Sequence, residues 1–375
     1  MSSRMGRALS VQLFGESHGP GVGVTLDGLP AGLSLSLERI QSFLNRRAAG
    51  NSALATGRRE ADEPRILSGM VNGRTTGYAL TAFFENGNVH SADYAFLPDR
   101  PRPGHADYPA LVRSAGFDDL RGSGHHSGRL TLPYAFAGAV ALELLSQAGV
   151  RVAAHAASIG EVEDAPLDPL HPDWDALIAA RNRPISALDE RQAQAMEQAV
   201  RKAREAGDSL GGVVEAVALG VPVGLGAPWF EGAEAVLGAH FFSIPAVKGV
   251  EFGAGFGAAA LHGSEYNDPY RAENGRIFTT QNRAGGLLGG LTDGMPIVAR
   301  VAFRPTASIA LPQQTVSLPA VEKGEEAQRE LEVRGRHDPC VVVRAVPVVE
   351  SAMALGLAEL WLQRNGDKPF TEVSQ

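Results

Sequence analysis

The stretch Pro133-Tyr-Ala-Phe-Ala-Gly-Ala-Val-Ala-Leu-Glu-Leu-Leu145 holds one charged side chain in thirteen residues. Pro133 suits a first helical turn and Gly149 a helix stop, so the spacing predicts a helix. A helix that is apolar on every side has no face fit for water and must be buried. Around it, residues 8–14, 21–26, 77–84, 213–221, 297–303 and 341–346 are rich in Val and Ala. Several of these alternate, and all read as strands with at least one buried face. The expected place for the 133–149 helix is therefore between sheet layers.

Three more helices are expected. One starts near Ser36 and runs to Arg47; a second has Ser186 and Asp189 in a capping-box-like spacing and ends at Gly207; a third spans 349–365, with Gly366 as its cap. Residues 21–33 and 212–225 share a pattern of strand followed by a Pro-Gly turn, an internal pseudo-repeat of two related halves. No stretch reads as an interdomain linker, so residues 1–375 are expected to form a single large domain.

A chain of 375 residues, 44% hydrophobic and 20% charged, has a soluble globular composition. The net charge of −8 argues against nucleic-acid binding. No apolar run is read as reaching the ~20 residues of a bilayer span. The segment Met1-Ser-Ser-Arg-Met-Gly-Arg7 lacks a secretory apolar core, and Cys340 has no possible disulfide partner. A cytoplasmic protein with no membrane partner is expected.

Five clusters carry chemistry. Gly15-Glu-Ser-His-Gly19 puts Ser17 and His18 on a glycine-flanked turn after a strand. Arg102-Pro-Gly-His-Ala-Asp107 presents His105 with a carboxylate two residues on. Arg121-Gly-Ser-Gly-His-His-Ser-Gly-Arg129 has the backbone freedom, hydroxyls and guanidinium groups of a phosphate cradle. Gly285-Gly-Leu-Leu-Gly-Gly290 is followed by Arg304-Pro-Thr-Ala-Ser308, and Arg334-Gly-Arg-His-Asp-Pro-Cys340 sets Asp338 among arginines. The long polar stretch 50–129 carries nine arginines in all. Each cluster alone could be ordinary loop chemistry; five together point to an anion-handling active site. His125 and His126 lack metal-ligand spacing, so no metal is expected. No nucleotide-binding glycine loop of the Walker or dinucleotide type is present.

These clusters, together with Ile66-Leu-Ser-Gly69, Ala246-Val-Lys-Gly-Val-Glu251 and the run from Gly335 to Glu350, resemble the chorismate synthase family over nearly the whole chain. The resemblance implies an α+β, β-α-β sandwich assembled as a homotetramer. It implies the last step of the shikimate pathway, an anti-1,4 elimination of phosphate from 5-enolpyruvylshikimate 3-phosphate that needs reduced FMN. By resemblance, His18 would serve the leaving phosphate and His105 would protonate the reduced flavin. Asp338 would assist removal of the ring proton through flavin N5, with Ser17 and Ser127 relaying protons. Arg47, Arg129 and Arg336 would bind anions. Flavin contacts would fall at His125, His126, Ser127, Ala246 and Gly289, along Arg304, Pro305, Thr306, Ala307 and Ser308, and at Arg336.

The pattern also departs from the family's commonest form. His125-His126-Ser127 stands for Arg-Ser-Ser, Pro245-Ala246 for Asn-Ala, and Arg304 for Lys. An arginine-rich run becomes Arg46-Arg-Ala-Ala-Gly50, and an arginine linked with NADPH is Ala53. These losses imply a separate flavin reductase as partner, with NADPH only an indirect reductant. Two other classes compete: a non-catalytic flavin- or phosphate-binding paralogue, which flavin binding without turnover would reveal, and a metal-dependent phosphatase, which chelators would inactivate.

Overall fold

The computed structural model describes residues 3–48, 54, 62–87, 94–97, 99–333 and 338–366. Strands β1 (Arg4–Met5), β2 (Ser10–Gly15), β3 (Gly21–Asp27), β4 (Arg65–Ser68) and β5 (Leu80–Glu85) form an antiparallel sheet in the order β1-β2-β3-β5-β4. A second antiparallel sheet contains β6 (Arg151–Ile159), β7 (Val162–Glu163), β8 (Gly212–Leu219), β9 (Val247–Phe252) and β10 (Ile297–Phe303). Its order is β9-β10-β8-β6-β7. The helices used below are α1 (Leu37–Arg47), α2 (Asp107–Arg113), α3 (Thr131–Gln147), α4 (Glu190–Glu205), α5 (Ala233–Phe242) and α6 (Val342–Asn365).

Helix α3 is the apolar stretch quoted above, and it packs on β2, β3 and β5; α6 packs on β6 and β8, with α1 and α5 filling out the layer between the sheets. The fold is the expected β-α-β sandwich. Phe136, Val140 and Leu144 of α3 are fully buried, each worth about 1.5–3 kcal/mol of transfer free energy. The two central helices touch where a side chain is missing. A Cβ on Gly138 would stand 2.1 Å from Ser351 Cβ, so α3 and α6 can cross this closely only with glycine there.

Charge is buried in this layer where it ties segments together. Glu350 on α6 is fully buried; it accepts from Arg46 at 2.8 and 2.7 Å, from Arg181 at 3.1 Å and from the Ala154 N–H at 3.1 Å. Burial pushes its pKa up, but the two guanidinium groups outweigh this and hold it below the usual range. Glu359 accepts the N–H groups of Arg7, Ala8 and Leu9, anchoring the start of the first sheet to α6.

Several expectations are corrected. Residues 341–346 are not a strand: all but Val341 belong to α6, which starts seven residues before the predicted 349. Their β-branched side chains and Pro347 read as a strand and a break. Burial in the helical layer overrides both, and Ser351 Oγ donates to the Pro347 carbonyl. Asp189, rather than Ser186, caps α4, accepting from the N–H groups of Arg191 and Gln192. Strand β6 escaped notice because four of its nine residues are alanine. Helix α6 is, by length and composition, apolar enough to cross a membrane, contrary to expectation. Its apolar window is wholly buried within the protein, which explains that hydropathy. Segments 21–33 and 212–225 each supply the central strand of one sheet, β3 and β8.

Candidate active site

A cavity of about 300 Å³ lies beside the first turns of α3 and α6, and it adjoins a more apolar one of about 470 Å³. The two share His105, His126, Ser127, Ala246 and Arg304, so together they make one cleft. Part of its wall is arginine, and the rest comes from the 102–107, 121–129 and 304–308 loops.

The arginine end is built from three elements. Arg47, at the C-terminus of α1, is 3% exposed and donates to Thr131 Oγ1 at 3.1 Å, Asp62 Oδ2 at 3.2 Å and the Gly128 carbonyl at 3.2 Å. Arg129 donates to the other oxygen of Asp62 and to Asn86 Oδ1. Arg344 on α6 donates through Nη1 to Asp338 Oδ2 at 2.7 Å and through Nε to the Arg47 carbonyl at 3.0 Å. Burial, reinforced by Arg344, lowers the Arg47 pKa to about 9, which leaves it cationic at neutral pH. Among the described residues, three guanidinium groups thus face two carboxylates at this end, with Arg47, Arg129 and Asp62 all buried.

Arg102, 4% exposed and lining the same cavity, joins three loops. It donates through its backbone N–H and Nε to Asp107 Oδ2, through Nη2 to Asp107 Oδ1 and Ser123 Oγ, and through Nη1 to Ser308 Oγ. His105 Nδ1 lies 2.7 Å from Asp107 Oδ1. Burial pushes Asp107 up, yet the bonds from Arg102 and His105 prevail and hold its carboxyl well below the usual carboxylate range.

The 121–129 loop takes an unusual course. Gly122, Ser123 and Gly124 have φ of 58°, 70° and 51°, three left-handed residues in a row. The Ser17 N–H holds this turn by donating to the Gly124 carbonyl at 3.1 Å. A Cβ on Gly122 would lie 2.3 Å from the His18 ring, so this glycine lets the imidazole come close.

The predicted residues are distributed as follows. Arg47, His105, His126, Ser127, Arg129, Ala246, Arg304, Thr306, Ala307, Ser308 and Asp338 line the cleft, and His125 lines its apolar part. His125 Nδ1 donates to the Gly15 carbonyl at 3.0 Å. His18 is buried just behind the wall, edge-on to Tyr94 at 5.5 Å between ring centres and against Gly122, both of which line the cleft. Ser17 is buried near it and Pro305 backs its loop against Gly211; neither lines the cleft. Gly289 sits at a hairpin tip between the 287–288 and 291–292 strands and does not line the cleft. Arg336 and Ala53 fall outside the described residues.

Sequence reasoning missed Arg102, Asp107, Asp62 and Arg344 as site residues. The first two stood inside a quoted cluster, and Arg344 stood inside the 335–350 run. Asp62 had no signal, because its partners are distant in sequence.

The chorismate synthase family profile matches residues 9–362. The chain belongs to the chorismate synthase family. It is 48% identical over 359 residues to the chorismate synthase of Thermococcus kodakarensis, covering 96% of this chain and 97% of that one. It is 44% identical over 363 residues to that of Dehalococcoides mccartyi, covering 97% of each. A crystal structure of a chorismate synthase superposes with a TM-score of 0.76 at 29% identity, over 99% of this chain and 96% of the other. The chain is thus an enzyme of the chorismate-forming step of the shikimate pathway.

Proposed function

We propose that the cleft binds 5-enolpyruvylshikimate 3-phosphate beside reduced FMN and eliminates phosphate in the anti-1,4 sense to give chorismate. The observation that carries this is the arginine end, where Arg47, Arg129 and Arg344 pair with Asp62 and Asp338. The substrate presents one phosphate and two carboxylates, and bidentate guanidinium groups suit such anions.

The chain's residues also fit a flavin. Thr306 Oγ1 is buried without a hydrogen-bond partner among the described residues, next to Arg304 and Ser308, as a phosphate site requires. Met5, Leu13, Tyr134, Ile244 and Val348 give the adjoining space a wall for a flat aromatic ring. When bound, reduced FMN supplies a reversible electron and a nitrogen that can take a proton.

The protein's part is to position and to move protons. The arginines hold the substrate anions and stabilise charge on the departing phosphate. His18, behind Gly122, gives the leaving oxygen its proton. Asp338, held by Arg344, assists removal of the ring proton, while His105 keeps a proton at the cofactor end. Ser127 lines the cleft between these groups; Ser17 acts through the loop it anchors.

One continuous hydrophobic core from both sheets and the helices supports a single domain. The exposed apolar side chains of Trp229, Phe230, Phe256 and Ile277 support assembly with further copies, read here as a homotetramer. Buried, unpaired Cys340 suits a reducing cytoplasm. Loss of NADPH contacts, which rests on Ala48 and on positions outside the described residues, leaves reduction to a separate flavin reductase. The test is product analysis with reduced FMN: chorismate and phosphate in equal amounts support the proposal, and bound FMN without product favours a binding-only paralogue.

A further inference from the structure

We propose that Asp107 is a positioning residue that fixes His105 with its proton on Nδ1, leaving Nε2 as the nitrogen that works in the cleft. This rests on the reading of the cleft as the reaction site.

The assignment follows from counting donors and acceptors. Asp107 is 6% exposed, and Arg102 fills both its oxygens: Nε and the backbone N–H reach Oδ2, and Nη2 reaches Oδ1 at 2.8 Å. An ionised carboxylate can only accept. The 2.7 Å contact between Asp107 Oδ1 and His105 Nδ1 is therefore a hydrogen bond only if Nδ1 carries the proton.

The rival donor to Nδ1 is Arg102 Nη2, 3.1 Å away. Its two protons are already given to Asp107 Oδ1 and, at 2.7 Å, to Ser123 Oγ. It also stands 3.4 Å from Nε2. An atom so nearly equidistant from both ring nitrogens lies on the lone-pair axis of neither. Nδ1 is thus a donor to Asp107, and the neutral ring presents Nε2 as an acceptor.

Asp107 thereby decides which ring nitrogen donates and which faces the cleft as an acceptor, because the bond made by one nitrogen of an imidazole sets the role of the other. Among the described residues, His126, Arg304 and Arg4 share the apolar part of the cleft with His105, and Tyr94, Asp338 and Arg344 share its polar part. Arg102 also binds Ser123 and Ser308, so the three loops that meet at His105 share its register.

The test is long-range proton–nitrogen NMR of histidine-labelled wild-type protein without ligand, with turnover measured separately. At alkaline pH Nδ1 should resonate as the protonated nitrogen and Nε2 as the bare one. The opposite tautomer, or a mixture of the two, overturns the proposal. In Asp107→Ala the single Nδ1–H form should give way to the Nε2–H form or a mixture, since the acceptor that fixes it is gone. An unchanged Nδ1–H tautomer in that variant also overturns it. The wild-type spectrum needs no substitution, so a variant that fails to fold does not remove the test. Absence of chorismate formation alongside the Nδ1–H tautomer would sink the reading of the reaction and leave this assignment standing.

Discussion

Arg344 Nη1 donates to Asp338 Oδ2 at 2.7 Å, joining the first turn of α6 to the carboxylate assigned to ring-proton removal. The same guanidinium reaches the Arg47 carbonyl, so one side chain holds both the proposed base and the end of the proposed anion site. Arg344→Met should lower kcat/KM by about 10²-fold, matching roughly 2–3 kcal/mol for a stranded, partly buried charge partner. Steady-state kinetics beside an unchanged thermal midpoint would establish it; wild-type kinetics in the variant would refute the role.

Substitution of Arg47 tests the anion site itself. In the wild-type protein, substrate should raise the melting temperature, because it binds only the folded state. Arg47→Leu should lose most of that increase, and the wild-type increase should shrink with salt less than a surface site would, since the group is buried. An equal ligand-induced rise in both proteins would show that the anion sits elsewhere.

Helix crossing gives a stability prediction. Even Gly138→Ala puts a methyl 2.1 Å from Ser351 Cβ, which forces α3 and α6 apart. The cost should be about 1–3 kcal/mol, the usual range for overpacking, read by urea unfolding. A neutral or stabilising effect would mean that the central layer is slacker than described.

His155 predicts a pH dependence remote from the cleft. Its ring is buried between Asp164, 2.9 Å from Nδ1, and Glu215, 3.1 Å from Nε2. Burial pulls its pKa down, but the two carboxylates prevail and raise it. A raised folded pKa means that the stabilisation is complete below the unfolded value of about 6.5 and is lost as pH climbs through the folded value. The destabilisation caused by His155→Gln should thus be larger near pH ~6 than near pH ~9. A constant difference across that range would contradict the ion triad.

Much of this was legible in the sequence, for definable reasons. The uniformly apolar 133–145 run could only be a buried helix, and the glycine-flanked His, Ser and Arg clusters supply many of the residues that line the cleft. Signals failed where local preference and burial conflict. Residues 341–346 look like a strand by side-chain shape, yet 342–346 form a helix, because α6 is enclosed on every side. The alanines of β6 look helical yet pair between β7 and β8. Contacts between residues far apart, such as Asp62 with Arg129 or Arg102 with Ser308, leave no local trace at all.

The most direct measurement is anaerobic turnover of 5-enolpyruvylshikimate 3-phosphate with photoreduced FMN, beside oxidised FMN and NADPH in the dark. The account predicts chorismate with photoreduced flavin and none in the dark. No chorismate with photoreduced FMN bound would contradict the lyase; rapid formation in the dark would contradict the need for a separate reductase.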